Sequence, residues 1–271
     1  MLVRADGAYL YTLTSVVDDI DFGITHIIRG EDHVTNTAVQ IQLFAALGGN
    51  PATIHFAHTT LLLDAHGGSL SKRLGSLSLS TLRGSGLEPM AINSLLARLG
   101  TSLPVEPHLT LDELAADFSL SIFSRTAPRF DPEDLTTINH KLLQIMPFGY
   151  VQDRLKKAGA PSITEELWVV IRGNLKTVKE ALVWEHICAG DITPLVSDRD
   201  YVSQALSCLP KAPWDTTTWA QWTGHVKEIT GRKGKELFMP LRQAITGMDH
   251  GPEMKDLLPL IGYEKVVKRL K

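Results

Sequence analysis

Gly67-Gly68-Ser69-Leu70-Ser71-Lys72-Arg73-Leu74-Gly75 is the stretch on which the reading of this chain turns. It follows the apolar run Leu61-Leu62-Leu63 and an Asp64-Ala65-His66-Gly67-Gly68 turn, and it precedes a segment that reads as helix from Ser80. Paired glycines let the backbone bend sharply and come close to a ligand. Adjacent Lys72 and Arg73, with the hydroxyls of Ser69 and Ser71, offer charge-assisted donors to phosphate oxygens. Such a loop suits a reaction in which negative charge builds on a leaving pyrophosphate. On spacing alone a solvated basic hairpin tip fits equally well.

Upstream, the strand Thr25 to Ile28 ends at Arg29. Open parallel sheets bind ligands at the carboxyl ends of their strands, and arginine holds carboxylates bidentately. A partnership with Asp18, Asp19 or Glu31 is the plain alternative. Tyr9 to Val17 reads as a mostly buried segment, in which Tyr11 is either core packing with a satisfied hydroxyl or a ligand contact. Gly30-Glu31-Asp32-His33 opens a helix capped by Asp32 or Thr35, with Ala38, Ile41, Phe44 and Leu47 on its apolar face and Gly48-Gly49 as its stop. Helix N-termini attract phosphates and ribose hydroxyls. Capping plus surface charge competes with that role for Glu31, Asp32 and His33. A second strand follows between Pro51 and Leu63, where His55 and His58 suit packing or a backbone hydrogen bond better than a metal.

Tyr9-Leu10-Tyr11, Val16-Val17-Asp18-Asp19, Gly23-Ile24-Thr25-His26-Ile27-Ile28-Arg29-Gly30-Glu31-Asp32-His33 and Leu70-Ser71-Lys72-Arg73 together resemble the bacterial glutamyl-tRNA synthetases. These are class I aminoacyl-tRNA synthetases, whose second nucleotide-binding loop has the form Lys-Leu-Ser-Lys-Arg. The resemblance continues through Phe130-Asp131-Pro132-Glu133 and Asn139. It resumes at Gly231-Arg232-Lys233-Gly234-Lys235-Glu236-Leu237-Phe238-Met239-Pro240-Leu241-Arg242, so it covers nearly the whole chain in the family's order.

The resemblance implies an α/β plus all-α architecture. Residues 1–80 would form the C-terminal half of a Rossmann-like catalytic domain, 81–148 a helical stem-contact connector, and 149–271 an all-helical anticodon-binding domain with a subdomain boundary near 210. It implies activation of L-glutamate with ATP and Mg2+, then transfer to the 3'-terminal adenosine of tRNA(Glu), with tRNA(Gln) left open as a second partner. Residue by residue, Tyr11, Ser15 and Arg29 would contact glutamate. Glu31, Asp32, His33, Leu70, Ser71 and Lys72 would lie at ATP. Lys72 and Arg73 would stabilise the charge on the β- and γ-phosphates during attack on the α-phosphate. Arg232, Lys233, Lys235 and Arg242 would meet tRNA. The family usually has Asn at position 15, a lysine at 69 and a His or similar residue at 74, where this chain has Ser15, Ser69 and Leu74. An uncompensated loss of one phosphate donor typically costs about 2–4 kcal/mol in the barrier. The family's His-Ile-Gly-His-type ATP motif occurs nowhere in the 271 residues. The expectation is therefore a C-terminal portion lacking the N-terminal half of the catalytic domain, inactive alone. The alternative is a non-catalytic tRNA-binding truncated paralogue. A glutaminyl-type enzyme would carry β-barrel anticodon domains, against the helical pattern here.

Composition agrees with a globular chain of two or three domains: 271 residues, 44% hydrophobic and 21% charged. No apolar run approaches the roughly 20 residues of a membrane span. No signal peptide is read at the start, so a cytoplasmic setting is expected, and the resemblance implies a monomer. Cys188 and Cys208 make no metal or disulfide framework and read as buried small apolar residues in a reducing compartment; no zinc or other metal site is read. Net charge is −3, but residues 1–150 hold 9 Lys and Arg against 15 Asp and Glu, and the remainder 18 against 15. A basic face in the second half is the consequence drawn. From about Phe148 the pattern is helical throughout, with Thr218 to Thr230 and Leu237 to Ile245 among the clearest segments. Trp184, Trp214, Trp219 and Trp222 read as core rather than as base-stacking platforms.

Overall fold

The computed structural model describes residues 1–68, 70 and 78–271. Its chain forms two compact units that interleave along the sequence. One comprises Met1–Gly75, Ala97–Pro104 and Phe118–Pro132; the other comprises Ser76–Leu96, Val105–Asp117 and Glu133–Lys271.

The first unit is α/β. Helix α1 (Tyr11–Asp21) leads to strand β1 (His26–Gly30), a 3-10 turn over Glu31–His33, helix α2 (Val34–Ala46) and strand β2 (His55–Thr59). Strands β1 and β2 pair in parallel, with His26 opposite His55 and Gly30 opposite Thr59. A parallel pair needs a crossover, and α2 supplies it. Strand β3 (Leu63–Asp64) pairs in parallel with β4 (Arg129–Phe130), which returns from far along the chain.

Three expectations for this unit are corrected. The segment Tyr9 to Val17 is not mostly buried: Val16 is its one buried side chain, and Tyr9 and Tyr11 are 68% and 53% exposed. Neither Asp32 nor Thr35 caps α2, because the 3-10 turn begins at Gly30 and the helix follows His33, with no side-chain cap at either. The inward face of α2 is Thr37, Gln40 and Phe44, while Ile41 and Leu47 are 39% and 46% exposed. The helix is turned so that two polar side chains point inward, and the reason is Arg29, described below.

The second unit is helical, and opens with α3 (Leu79–Gly84) and α4 (Pro89–Leu96). The helix read from Ser80 is not continuous into α4. It breaks at residues 85–88, where Gly86 takes φ +83° and Pro89, lacking an N–H, starts the next helix. Helix α5 (Leu111–Ala116) is capped by Thr110, whose Oγ1 accepts from Glu113 N while Glu113 Oε2 accepts from Leu109 N. There follow α6 (Pro132–Ile145), α7 (Phe148–Ala158), α8 (Glu165–Ile171), α9 (Ala181–Ala189), α10 (Arg199–Ser207), α11 (Thr218–Thr230), α12 (Lys235–Thr246), α13 (Met254–Ile261) and α14 (Tyr263–Leu270).

Its core is large. Trp168, Trp222, Leu142, Leu143, Ile171 and Leu175 are among its fully buried side chains, each worth about 1.5–3 kcal/mol over exposure. Trp168 and Trp222 donate their indole N–H to Met146 O and Ala205 O, both at 2.8 Å. Buried Asn139 accepts from Glu88 N and donates to Lys176 O, both at 2.7 Å. Glu88, 3% exposed, takes a bidentate pair of hydrogen bonds from Arg154. Arg269 donates to Ile245 O at 2.8 Å, Ile187 O at 2.6 Å and Gly190 O at 3.1 Å. Cys188 is buried as expected, but Cys208 is only half-buried. Trp184 and Trp222 are core, whereas Trp214 and Trp219 reach the surface.

Candidate functional site

Arg29 is the penultimate residue of β1, just before Gly30, at the carboxyl end of a parallel pair. Its Nη1 donates to the Tyr11 hydroxyl at 3.3 Å. Its Nη2 donates to Thr37 Oγ1 at 2.6 Å and to Gln40 Oε1 at 2.5 Å. Gln40 in turn donates from Nε2 to Ser15 Oγ at 2.8 Å. Thus Tyr11 and Ser15 on α1, Arg29 on β1, and Thr37 and Gln40 on α2 form one hydrogen-bonded network. All three side chains expected at the glutamate site belong to it.

None of the acidic residues expected as alternatives makes an ion pair with Arg29 among the described residues. Asp19 feels its charge only at a distance: burial pushes the Asp19 carboxyl up, and Arg29 partly offsets that. The guanidinium is held by neutral oxygens, and its Nε is buried with no hydrogen-bond partner among the described residues. A cation solvated this way has no direct ion-pair partner among the described residues, which suits an anionic ligand.

The expected ATP-side residues adjoin this network. Glu31, Asp32 and His33 form the 3-10 turn directly after β1. His33 packs edge-on against the Tyr11 ring, with centroids 5.7 Å apart. Its Nδ1 accepts from Asn36 Nδ2 at 3.2 Å, which leaves hydrogen on Nε2, 3.9 Å from Asp32 Oδ2. Glu31 and Asp32 are exposed. Three further members of the network are Thr37, Gln40 and His58. Thr37 donates to His33 O at 3.1 Å, so it accepts from His58 Nε2 at 2.9 Å. Two polar residues three apart on a mostly apolar helix were the signal available for Thr37 and Gln40.

Of the basic loop, Ser69, Ser71, Lys72 and Arg73 lie outside the described residues; Leu70 is half-buried. The turn that launches the loop is described. Gly67 takes φ +87°, and Asp64 Oδ1 accepts from His66 N at 2.9 Å and Gly68 N at 2.8 Å. The Gly68 amide is the main cause holding the Asp64 carboxyl below its usual value. Among the described residues no group of three or more His, Cys, Asp or Glu side chains is placed to hold a metal ion, and His26 and His55 stack with centroids 4.8 Å apart.

The four expected tRNA contacts divide. Gly231 (φ +68°) ends α11 and Gly234 (φ +53°) precedes α12, and the tight loop between them turns Arg232 inward. Arg232 pairs with Asp198 Oδ2 at 2.5 Å and lies 4.1 Å over the Tyr201 ring, so it is spent within the fold. Lys233 and Lys235 are exposed. Lys235 and Arg242 line a cavity of about 300 Å³ with Trp219, Phe238 and Met239. Arg242 caps no carboxylate: its Nη2 donates to Pro252 O at 2.8 Å, its Nη1 is buried without a hydrogen-bond partner among the described residues, and burial lowers its pKa.

Residues 1–137 match the model of the tRNA synthetases class I (E and Q), catalytic domain, and residues 195–271 match an anticodon binding domain. Glutamate--tRNA ligase 1 of Rhodospirillum rubrum is 51% identical over 273 residues, covering 100% of this chain and 60% of that protein. Glutamate--tRNA ligase of Azospirillum brasilense is 52% identical over 271 residues, with the same two coverages. A crystal structure of a glutamate tRNA ligase from Elizabethkingia meningosepticum, in complex with its amino acid, superposes with a TM-score of 0.76. At 23% identity, over 99% of this chain and 60% of that one, it attests to the fold alone. The chain thus spans about 60% of the length of the curated relatives it matches. With its parallel strands, its helical second unit and these matches, the chain belongs to the class I tRNA synthetases of the E and Q type.

Proposed function

We propose that this chain is the C-terminal portion of a glutamate–tRNA ligase. The whole enzyme activates L-glutamate with ATP, with Mg2+ accompanying the phosphates, and transfers it to the terminal adenosine of tRNA(Glu). The observation that carries the reading is Arg29, held by three neutral side-chain oxygens with no carboxylate paired to it among the described residues. A carboxylate is the ligand that completes it. Glu31, Asp32 and His33 are the ATP-side residues, and Leu70, Ser71, Lys72 and Arg73 the phosphate-binding loop. In our reading residues 1–80 belong to the catalytic domain, 81–148 to the stem-contact connector and 149–271 to the anticodon-binding domain. Lys233, Lys235 and Arg242 face tRNA, and Arg232 supports them by fixing the loop. No helix of the described residues is long and apolar enough to cross a membrane, and the proposed setting is a cytoplasmic monomer.

No protein nucleophile is needed. Positioning of the glutamate carboxylate against the α-phosphate, and charge stabilisation by Lys72 and Arg73, supply the catalysis. The test pairs two samples. The 271-residue chain alone, given ATP, Mg2+, labelled glutamate and tRNA(Glu), gives no sustained charging; the full-length protein does. Sustained charging by the chain alone would overturn its assignment as an inactive portion. Absence of charging by the full-length protein, on tRNA(Glu) and tRNA(Gln) alike, would favour a non-catalytic tRNA-binding role.

A further inference from the structure

We infer that Gln40 sets the hydrogen-bond polarity of the Tyr11–Ser15–Arg29 cluster, so that its two hydroxyl hydrogens are left for the ligand and it prefers a carboxylate to a carboxamide. The inference rests on the glutamate reading above and assigns a positioning role to a residue outside the expected site.

The direction of every hydrogen follows from arginine, which can only donate. Arg29 donates to Gln40 Oε1 and to the Tyr11 hydroxyl oxygen, so both oxygens accept. The Gln40 carboxamide is 1% exposed and cannot turn over without placing its N–H2 against the guanidinium. Its Nε2 must therefore face Ser15, 2.8 Å away, and donate. Ser15 Oγ accepts that bond, and its own hydrogen is left over. So is that of the Tyr11 hydroxyl. Among the described residues neither of these two hydrogens has an acceptor. A carboxylate satisfies such a cluster with both oxygens. A carboxamide offers one oxygen and one N–H2 group, and the latter can meet only the remaining lone pairs of hydroxyl oxygens that already accept from Gln40 and Arg29. Sites built on matched hydrogen bonds discriminate strongly, because a mismatched ligand leaves buried groups unpaired.

The chain of directions also predicts which replacements at position 15 are tolerated. In Ser15→Asn, the side-chain oxygen accepts from Gln40 and the N–H2 remains an outward donor. In Ser15→Asp, one oxygen accepts from Gln40 and the other turns an acceptor outward. Asn and Asp have nearly the same shape, so a packing role would treat them alike. Gln40→Glu lets position 40 accept from Ser15, which consumes the serine hydrogen.

The experiment measures kcat/KM for glutamate and for glutamine in aminoacylation of tRNA(Glu) by the full-length protein, together with the KM for ATP. Ser15→Asn is expected to keep the glutamate-to-glutamine ratio within about threefold, Ser15→Asp to lower it about a hundredfold, and Gln40→Glu about tenfold, with the KM for ATP unmoved. Thermal melts check folding, and if Gln40→Glu fails to fold, the half-buried position 15 pair decides. Equal ratios for Ser15→Asn and Ser15→Asp, in an enzyme whose wild type prefers glutamate, overturn the inference and leave the glutamate reading standing. A wild type with no preference for glutamate removes both.

Discussion

Arg29 and Arg269 are each held by three protein oxygens, and they serve opposite ends. The acceptors of Arg269 are main-chain carbonyls: Ile187 and Gly190 at the end of α9, and Ile245 at the end of α12. Helix C-termini carry partial negative charge and orphan carbonyls, so they act as a counter-charge and leave nothing over. The acceptors of Arg29 are a phenol, an alcohol and an amide, all side-chain groups and none a helix C-terminal carbonyl. They solvate the cation without opposing it. A buried arginine on carbonyls of helix ends is a tie within the fold. A buried arginine on side chains that keep hydrogens of their own is a socket.

The contrast can be broken by measurement. Arg269→Met leaves several carbonyls buried and unpaired, and is expected to cost the isolated chain about 3 kcal/mol or more in urea unfolding. Arg154→Ala, which strands the buried Glu88 carboxylate, falls in the same range of about 3–5 kcal/mol. Arg29→Met, by contrast, is expected to change stability by no more than about 1 kcal/mol, because an apolar replacement removes an uncompensated charge. In the full-length protein it lowers kcat/KM for glutamate at least about a hundredfold. If Arg29→Met unfolds the chain as readily as Arg269→Met, the distinction between tie and socket is lost.

Two smaller effects sharpen the picture of the helical unit. Burial pushes the Cys188 thiol up to about 11, with Arg269 and Lys265 opposing, so native Cys188 is almost wholly protonated at pH 8. Its reaction with a disulfide reagent should therefore track unfolding and speed up in urea. Rapid labelling in the native chain would mean the α9 end is open. Asp198 is held below its usual range by the Tyr201 amide first and the Arg232 guanidinium second. A depressed carboxyl contributes stability above its unfolded value of about 3.9, and that contribution is lost as pH falls through the folded value. Asp198→Asn should therefore flatten the acid limb of the stability curve below about pH 4 and leave its neutral slope unchanged.

Much of this was legible in the sequence, and the gaps have physical causes. The α11 helix ends at Gly231, directly after the Thr218 to Thr230 segment read from its spacing. Tyr11, Ser15 and Arg29 meet, as the resemblance implied. What periodicity missed is the inward face of α2. A hydrophobic pattern points at the core only where the core is apolar, and here Thr37 and Gln40 are buried because Arg29 needs oxygens. The pairing of Arg232 escapes the sequence for a related reason. A basic run names cations and says nothing about which of them has a carboxylate 34 residues upstream.

The interleaving of the two units has a practical consequence. No single cut separates them. Excising residues 1–75 abandons β4, the partner of β3, while any break inside the 76–132 region divides segments of both units. A donor swap of the α/β unit between relatives must carry three pieces of gene at once. Recombination at one junction inside that region would yield chimaeras in which each unit is drawn from both parents.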